Sequence, residues 1–105
     1  MQHSGSLLKG KNAVITGTGR GIGKAAVKVF AQCGANVWAC ARKRDHQWED
    51  ELSGYFGNGS WIKFLYFDMR DEDGMKDAVK SIHKDRETVD ILVNNAGMSY
   101  DALLP

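Results

Sequence analysis

An α/β fold on a doubly wound parallel sheet is what this chain of 105 residues predicts, and three observations predict it. Apolar, strand-like runs alternate strictly with segments of helical apolar spacing. One of those runs, Val37-Trp38-Ala39-Cys40, is continuously apolar, as suits a parallel strand covered on both faces. Between the first strand and the first helix lies Thr16-Gly17-Thr18-Gly19-Arg20-Gly21-Ile22-Gly23, with four glycines in seven residues. A strand, a glycine-dense turn and a helix in that order make an anion site. The N–H groups of the first helical turn point out of the helix end, and the macrodipole adds about half a positive charge there.

Each element has its own signal. The first strand runs from Asn12 to Thr16 and ends at the glycine loop. The helix after it is expected to bury Ile22, Ala26, Val29, Phe30 and Cys33, with Lys24 and Lys28 outward and Gly34 closing it in the left-handed conformation. A second strand covers Asn36 to Ala41. Trp48, Leu52, Tyr55 and Phe56 then mark a helix with Asp45 as its N-cap and Gly57-Asn58-Gly59 as its stop. The third strand runs from Trp61 to Phe67. Asp71 caps a further helix that buries Met75, Ala78, Val79 and Ile82, with acids at its start and Lys84 and Arg86 near its end, as the helix dipole favours. The fourth strand, Val89 to Val93, ends at Asn94-Asn95-Ala96-Gly97. Alternation of this kind gives right-handed crossovers and helices on both faces of the sheet.

Composition narrows the function classes. Lys and Arg number 14 against 13 acids, so a polyanionic partner such as nucleic acid is not suggested. No apolar run approaches the ~20 residues of a membrane helix, and residues 1–10 read as a loose leader without the features of a secretory signal. Cys33 and Cys40 are too few for a disulfide framework and form no zinc pattern; they read as buried thiols of a cytoplasmic protein. His3, His46 and His83 share no ligand spacing and read as surface residues, so no metal site is expected.

The loop spacing discriminates among phosphate-binding turns. G-x-G-x-x-G requires a glycine at Ile22 or Lys24, and the Walker pattern requires a glycine at Thr18 and a hydroxyl at Ala25; both fail. What remains is T-G-x-x-x-G-x-G with glycines at 17, 21 and 23. This spacing, followed by Asn94-Asn95-Ala96-Gly97 after the fourth strand, resembles the short-chain dehydrogenase/reductase family. The resemblance covers nearly the whole chain from Lys11 onward and implies a Rossmann-like sheet of order 3-2-1-4, first half only. Residues 11–105 would then be a partial NAD(P)-binding domain, with the apolar fourth strand left at an open edge.

The resemblance also assigns roles. Gly17, Thr18, Gly19, Arg20, Gly21, Ile22 and Gly23 would hold the pyrophosphate, chiefly through backbone N–H groups. The end of the second strand decides which dinucleotide binds, since a carboxylate there would favour the ribose of NAD. Here stand Ala41 and then Arg42, Lys43 and Arg44, so NADP(H) is expected over NAD(H), with Arg42 on the 2′-phosphate and Arg20 approaching it too. Asp68 and the Met69 N–H would meet the adenine, while Asn95, Ala96 and Gly97 would lie beneath the inner ribose. The family's proton donor is a tyrosine with a lysine four residues on. Tyr55, Tyr66 and Tyr100 are followed at that distance by Gly59, Arg70 and Leu104, so no catalytic residue is expected in this chain.

The segment from Asn94 to Leu104 resembles that of bacterial 3-oxoacyl-acyl-carrier-protein reductases, implying NADPH-dependent reduction of a carbonyl, on a 3-oxoacyl thioester, by a cytoplasmic enzyme that is a homo-oligomer at full length. Sugar, polyol and steroid dehydrogenases share much of this half. A truncated, inactive nucleotide-binding fragment or a regulator is the alternative from another class.

Overall fold

The computed structural model describes residues 7–57, 59–85 and 88–95. In chain order these form β1 (Asn12–Ile15), α1 (Gly21–Gln32), β2 (Asn36–Ala41), α2 (His46–Ser53), β3 (Ile62–Tyr66), α3 (Glu72–Lys84) and β4 (Ile91–Val93). The strands are parallel and lie in the order β3-β2-β1-β4, as the family resemblance implies.

Alternation of side chains across the strands divides the interior in two. Ala13, Ile15, Val37 and Ala39 point to one face and pack with Val27 of α1 and Trp48 and Leu52 of α2. Val14, Trp38 and Cys40 point to the other and meet Phe67 and, on α3, Ala78 and Ile82. The central strands are therefore apolar on both sides, which explains the unbroken run in β2. Cys33 and Cys40 are buried free thiols, and burial pushes that of Cys40 up to about 12.

A belt of polar side chains fixes the amino ends of all four strands. The Asp90 carboxylate, just before β4, accepts from the Asn12 backbone N–H at 2.8 Å. Asn36 donates to the Asn12 amide oxygen at 2.8 Å, and the Asn36 oxygen accepts from the Trp61 N–H at 3.0 Å. Asp90 is thus satisfied structurally, at the sheet end opposite the glycine loop.

Three readings of the helices need correction. Helix α1 buries Gly23, Val27 and Ala31, whereas Ile22 is 78% and Val29 52% exposed. Its inward stripe is shifted by one residue, because Gly23 rather than Ile22 is seated against the loop; Ala26 and Phe30 still flank the core. Lys24 and Lys28 face α2 instead of open solvent, each 2.8 Å from Glu51. Helix α2 ends earlier than expected, with Gly54 as its C-cap, leaving Tyr55 41% exposed beyond it. Strand β4 is also shorter than the apolar run that suggests it. The caps at Asp45 and Asp71 and the positive φ of Gly34 are as expected. Asn58 and Arg86 lie outside the described residues.

The clamp between α1 and α2 gives a pH dependence. Hydrogen bonds from Lys24 and then Lys28 lower the Glu51 carboxyl from 4.5 to about 2. A carboxyl lowered on folding stabilises the native state above its unfolded value and loses that contribution as pH falls through the folded one. The Tm difference between the wild type and Glu51→Gln is therefore expected to be present near neutrality, to shrink as pH falls below 4.5, and to vanish near about 2. High salt should reduce it, because the carboxylate is exposed. A difference independent of pH in a series of thermal melts would contradict this assignment.

Candidate cofactor site

The glycine loop lies at the carboxyl ends of β1 and β2, where a parallel open sheet places its ligand crevice. Gly17 and Gly21 have φ of 65° and 61°, a region that favours glycine. Gly23 is held by proximity: a Cβ there would lie 2.0 Å from the Gly17 carbonyl oxygen. At Gly19 and Gly21 an added Cβ would meet nothing within 4 Å, so these two border open space. The start of α1 differs from those of α2 and α3, which carry aspartate caps and first-turn acids. Its N-cap, Arg20, makes no side-chain cap bond and no acid lies in the first turn. The positive end of that helix is therefore met by no carboxylate from its own cap or first turn, as suits an anion.

Thr18 fixes the loop. It is fully buried, and both its N–H and its hydroxyl donate to the Cys40 carbonyl, at 3.0 and 2.9 Å. Its own carbonyl accepts from the Trp48 indole N–H at 3.0 Å. Thr18 therefore ties the loop to β2 and α2, and its side chain does not face the crevice. From the fourth strand, the Asn95 N–H donates to the Thr16 hydroxyl at 2.9 Å and its side-chain amide to the Gly17 carbonyl at 3.4 Å. Ala96 and Gly97 lie outside the described residues.

Two cavities open from this loop. The larger, about 690 Å³, runs between Gly17, Gly19 and Arg20 and the turn of Arg42, Lys43 and Arg44, with Trp48 and Asp45, the cap of α2, completing its wall. The smaller, about 270 Å³, is bordered by Gly17, Ala41, Arg42, Asp68, Met69 and Arg70. Arg42 borders both. The first is bordered by three arginines and a lysine with one aspartate; the second is mostly apolar, with Arg42, Asp68 and Arg70 as its charged residues. The crevice thus brings together most of the residues the sequence singles out. Ile22, Gly21 and Gly23 belong to the first turn of α1, so they can contribute through backbone groups.

Two contributors are not legible from motif spacing. Trp48 reads as core and is core, yet it also borders the larger cavity and holds the loop through its indole. Arg70 forks onto Asp68, with Nη2 to Oδ2 at 2.8 Å and Nε to Oδ1 at 3.1 Å. Tyr66 donates to Glu49, and burial, aided by that carboxylate, pushes its hydroxyl up rather than down. Such a phenol keeps its proton, unlike an activated proton donor.

The family model described as short chain dehydrogenase matches residues 11–104. The 3-oxoacyl-[acyl-carrier-protein] reductase of Chlamydia pneumoniae is 37% identical over 99 residues, which are 92% of this chain and 39% of that protein. A crystal structure of L-sorbose reductase from Gluconobacter frateurii with NADPH and L-sorbose superposes with a TM-score of 0.76 at 35% identity, over 92% of this chain and 36% of the other. One of 3-oxoacyl-[acyl-carrier protein] reductase from Brucella melitensis with NAD gives 0.70 at 30% identity, over 85% of this chain and 34% of the other. The chain thus spans about two-fifths of the length of the curated relatives it matches. With the fold, the loop spacing and a family match along nearly its entire length, the chain belongs to the short chain dehydrogenase family.

Proposed function

We propose that these residues are the nucleotide-binding part of an NADPH-dependent oxidoreductase that reduces a carbonyl, on a 3-oxoacyl thioester, to a hydroxyl. The observation that carries the cofactor choice is the position of Arg42 at the border of both cavities, directly after a β2 that ends on Ala41 instead of a carboxylate. When bound, the dinucleotide supplies a hydride. The chain's own residues bind and orient it. Backbone N–H groups from Gly19 to Ile22 take the diphosphate, with the dipole of α1 behind them. Arg42, assisted by Arg20, takes the 2′-phosphate. Asp68 and the Met69 N–H take the adenine, and Asn95, with Ala96 and Gly97, lies under the inner ribose.

The proton donor of such a reaction is assigned to residues outside these 105, since no Tyr-x-x-x-Lys occurs here. In this reading residues 11–105 form a partial domain, residues 1–10 a leader, and the chain alone is inactive. The thioester substrate draws on similarity to the acyl-carrier-protein reductases. A sugar substrate is the second reading, favoured by the likeness to L-sorbose reductase. A homo-oligomer is expected of the full-length form. The two buried, unpaired thiols fit a cytoplasmic setting, and among the described residues no helix is long and apolar enough to cross a membrane.

Titration of the chain with NADPH and NADH tests the cofactor choice. NADPH is expected to bind at least about tenfold more tightly, and Arg42→Gln to remove most of that difference, as loss of a charge-assisted fork to phosphate should. Equal affinities in the wild type would end the argument from Arg42. Reading the nucleic acid beyond the Pro105 codon separates a nucleotide-binding fragment or regulator from an enzyme. An open frame containing Tyr-x-x-x-Lys supports the enzyme; an immediate stop supports the fragment.

A further inference from the structure

Asp68 lies between two guanidinium groups that treat it very differently. Arg70 grips it from three directions: Nη2 to Oδ2 at 2.8 Å, Nε to Oδ1 at 3.1 Å, and the backbone N–H to Oδ1 at 2.9 Å. Arg42 stands further off, its Nε 3.9 Å from Oδ2, an ion pair without a hydrogen bond. A carboxylate has about four acceptor positions, so Arg70 leaves roughly one, contested by Arg42 and by any ligand N–H that enters the smaller cavity. The hydrogen bonds from Arg70 also hold the Asp68 carboxyl well below the usual range, so it is ionised at neutral pH. An ionised carboxylate beside Arg42 has two effects on a phosphate arriving there. It repels the phosphate, and it holds the cation that should receive it.

We propose that Arg70 is a specificity-determining residue for the 2′-phosphate, acting through Asp68 by occupying its oxygens and offsetting its charge so that Arg42 stays available. The proposal rests on the reading of Arg42 as the 2′-phosphate ligand. It also accounts for how an acid suited to the adenine amino group coexists with a phosphate site next to it. Asp68 borders the smaller cavity, so a purine amino group bound there can take the remaining acceptor position in place of the weak claim of Arg42. Of these two cavities Arg70 borders the smaller, and no contact between it and the phosphate is needed.

The test compares 2′,5′-ADP with 5′-AMP on the 105-residue chain by calorimetry, in the wild type and in Arg70→Gln, Asp68→Asn, the double variant and Arg42→Gln. Arg70→Gln is expected to weaken 2′,5′-ADP by about tenfold and 5′-AMP by no more than about twofold. In the Asp68→Asn background the same change should leave the ratio of the two affinities unaltered, because the coupling runs through the carboxylate. Arg70 is exposed, with 81% of its side chain accessible, so its replacement does not threaten folding, and the 5′-AMP affinity reports that the site is intact. An unchanged ratio in Arg70→Gln overturns the proposal. So does a loss that persists in the Asp68→Asn background, which would make Arg70 a direct phosphate ligand. If Arg42→Gln shifts the ratio while Arg70→Gln does not, this inference fails and the cofactor reading survives. If neither shifts it, or if the wild type binds neither ligand, both fail.

Discussion

Gly23→Ala should unfold the glycine loop from its helix and abolish nucleotide binding. The added Cβ would lie 2.0 Å from the Gly17 carbonyl oxygen and 2.7 Å from its carbon, where Cβ atoms essentially never approach within 3.0 Å. Both neighbours are backbone, so no change of rotamer relieves the contact. The loop is not free to retreat, because Thr18 is tied to the Cys40 carbonyl and the Asn95 amide, itself 3.0 Å from the added Cβ, donates to the Gly17 carbonyl. Overpacking of this kind costs about 1–3 kcal/mol and occasionally more; with an unyielding neighbour, about 3 kcal/mol and a fall in Tm of roughly 10–20 °C are expected for a domain of this size. Gly19→Ala is the matched control. Its Cβ meets nothing within 4 Å, so the melt should stay near that of the wild type, while NADPH binding weakens because the methyl stands where a phosphate would approach. A Gly23→Ala chain that melts like the wild type would show that the loop is softer than its hydrogen bonds imply.

The same loop shows what a sequence can and cannot convey. Spacing alone distinguishes the glycines at 17, 21 and 23 from the one at 19. The structure gives the reason, since two of the three need a left-handed backbone and the third a bare Cα, whereas Gly19 has neither constraint. A parallel sheet with helices on both faces was legible because β1 and β2 are apolar on both sides, a pattern that few other architectures satisfy; the order of the strands came from the family resemblance alone. The inward stripe of α1 was not. Ile22, Ala26, Val29 and Phe30 have good helical spacing, yet the rotation of the helix is set by how closely Gly23 approaches Gly17. A glycine has no side chain to enter a hydrophobic pattern, so that contact leaves no trace in it. The apolar Ile22 and Val29 are left exposed as a result. Arg70 was invisible for another reason. Its importance comes from the geometry of a fork onto Asp68, and a sequence gives the two charges without the angle between them.

The indole of Trp48 supports a prediction that joins the core to the site. Its ring is 5% exposed and packs 5.0 Å from Phe64, centroid to centroid, on the face shared by α1 and α2. Its N–H is the donor on the buried Thr18 carbonyl. Trp48→Ala should cost about 3–5 kcal/mol, as deletion of a buried aromatic does. Trp48→Phe is the more informative change. It keeps most of the packing but strands the Thr18 carbonyl, a loss of about 1–3 kcal/mol. Because that carbonyl belongs to the glycine loop, NADPH affinity should fall with it. Trp38→Phe separates the two effects. Trp38 is 1% exposed on the opposite face, where its indole donates to Asp85 at 3.3 Å, remote from the loop. Its loss should lower the Tm by a similar amount and leave nucleotide affinity unchanged below the melt. Equal losses of affinity in Trp48→Phe and Trp38→Phe would mean that Trp48 acts through global stability alone. A loss confined to Trp48→Phe would mean that the hydrophobic core positions the phosphate cradle through a single indole hydrogen bond.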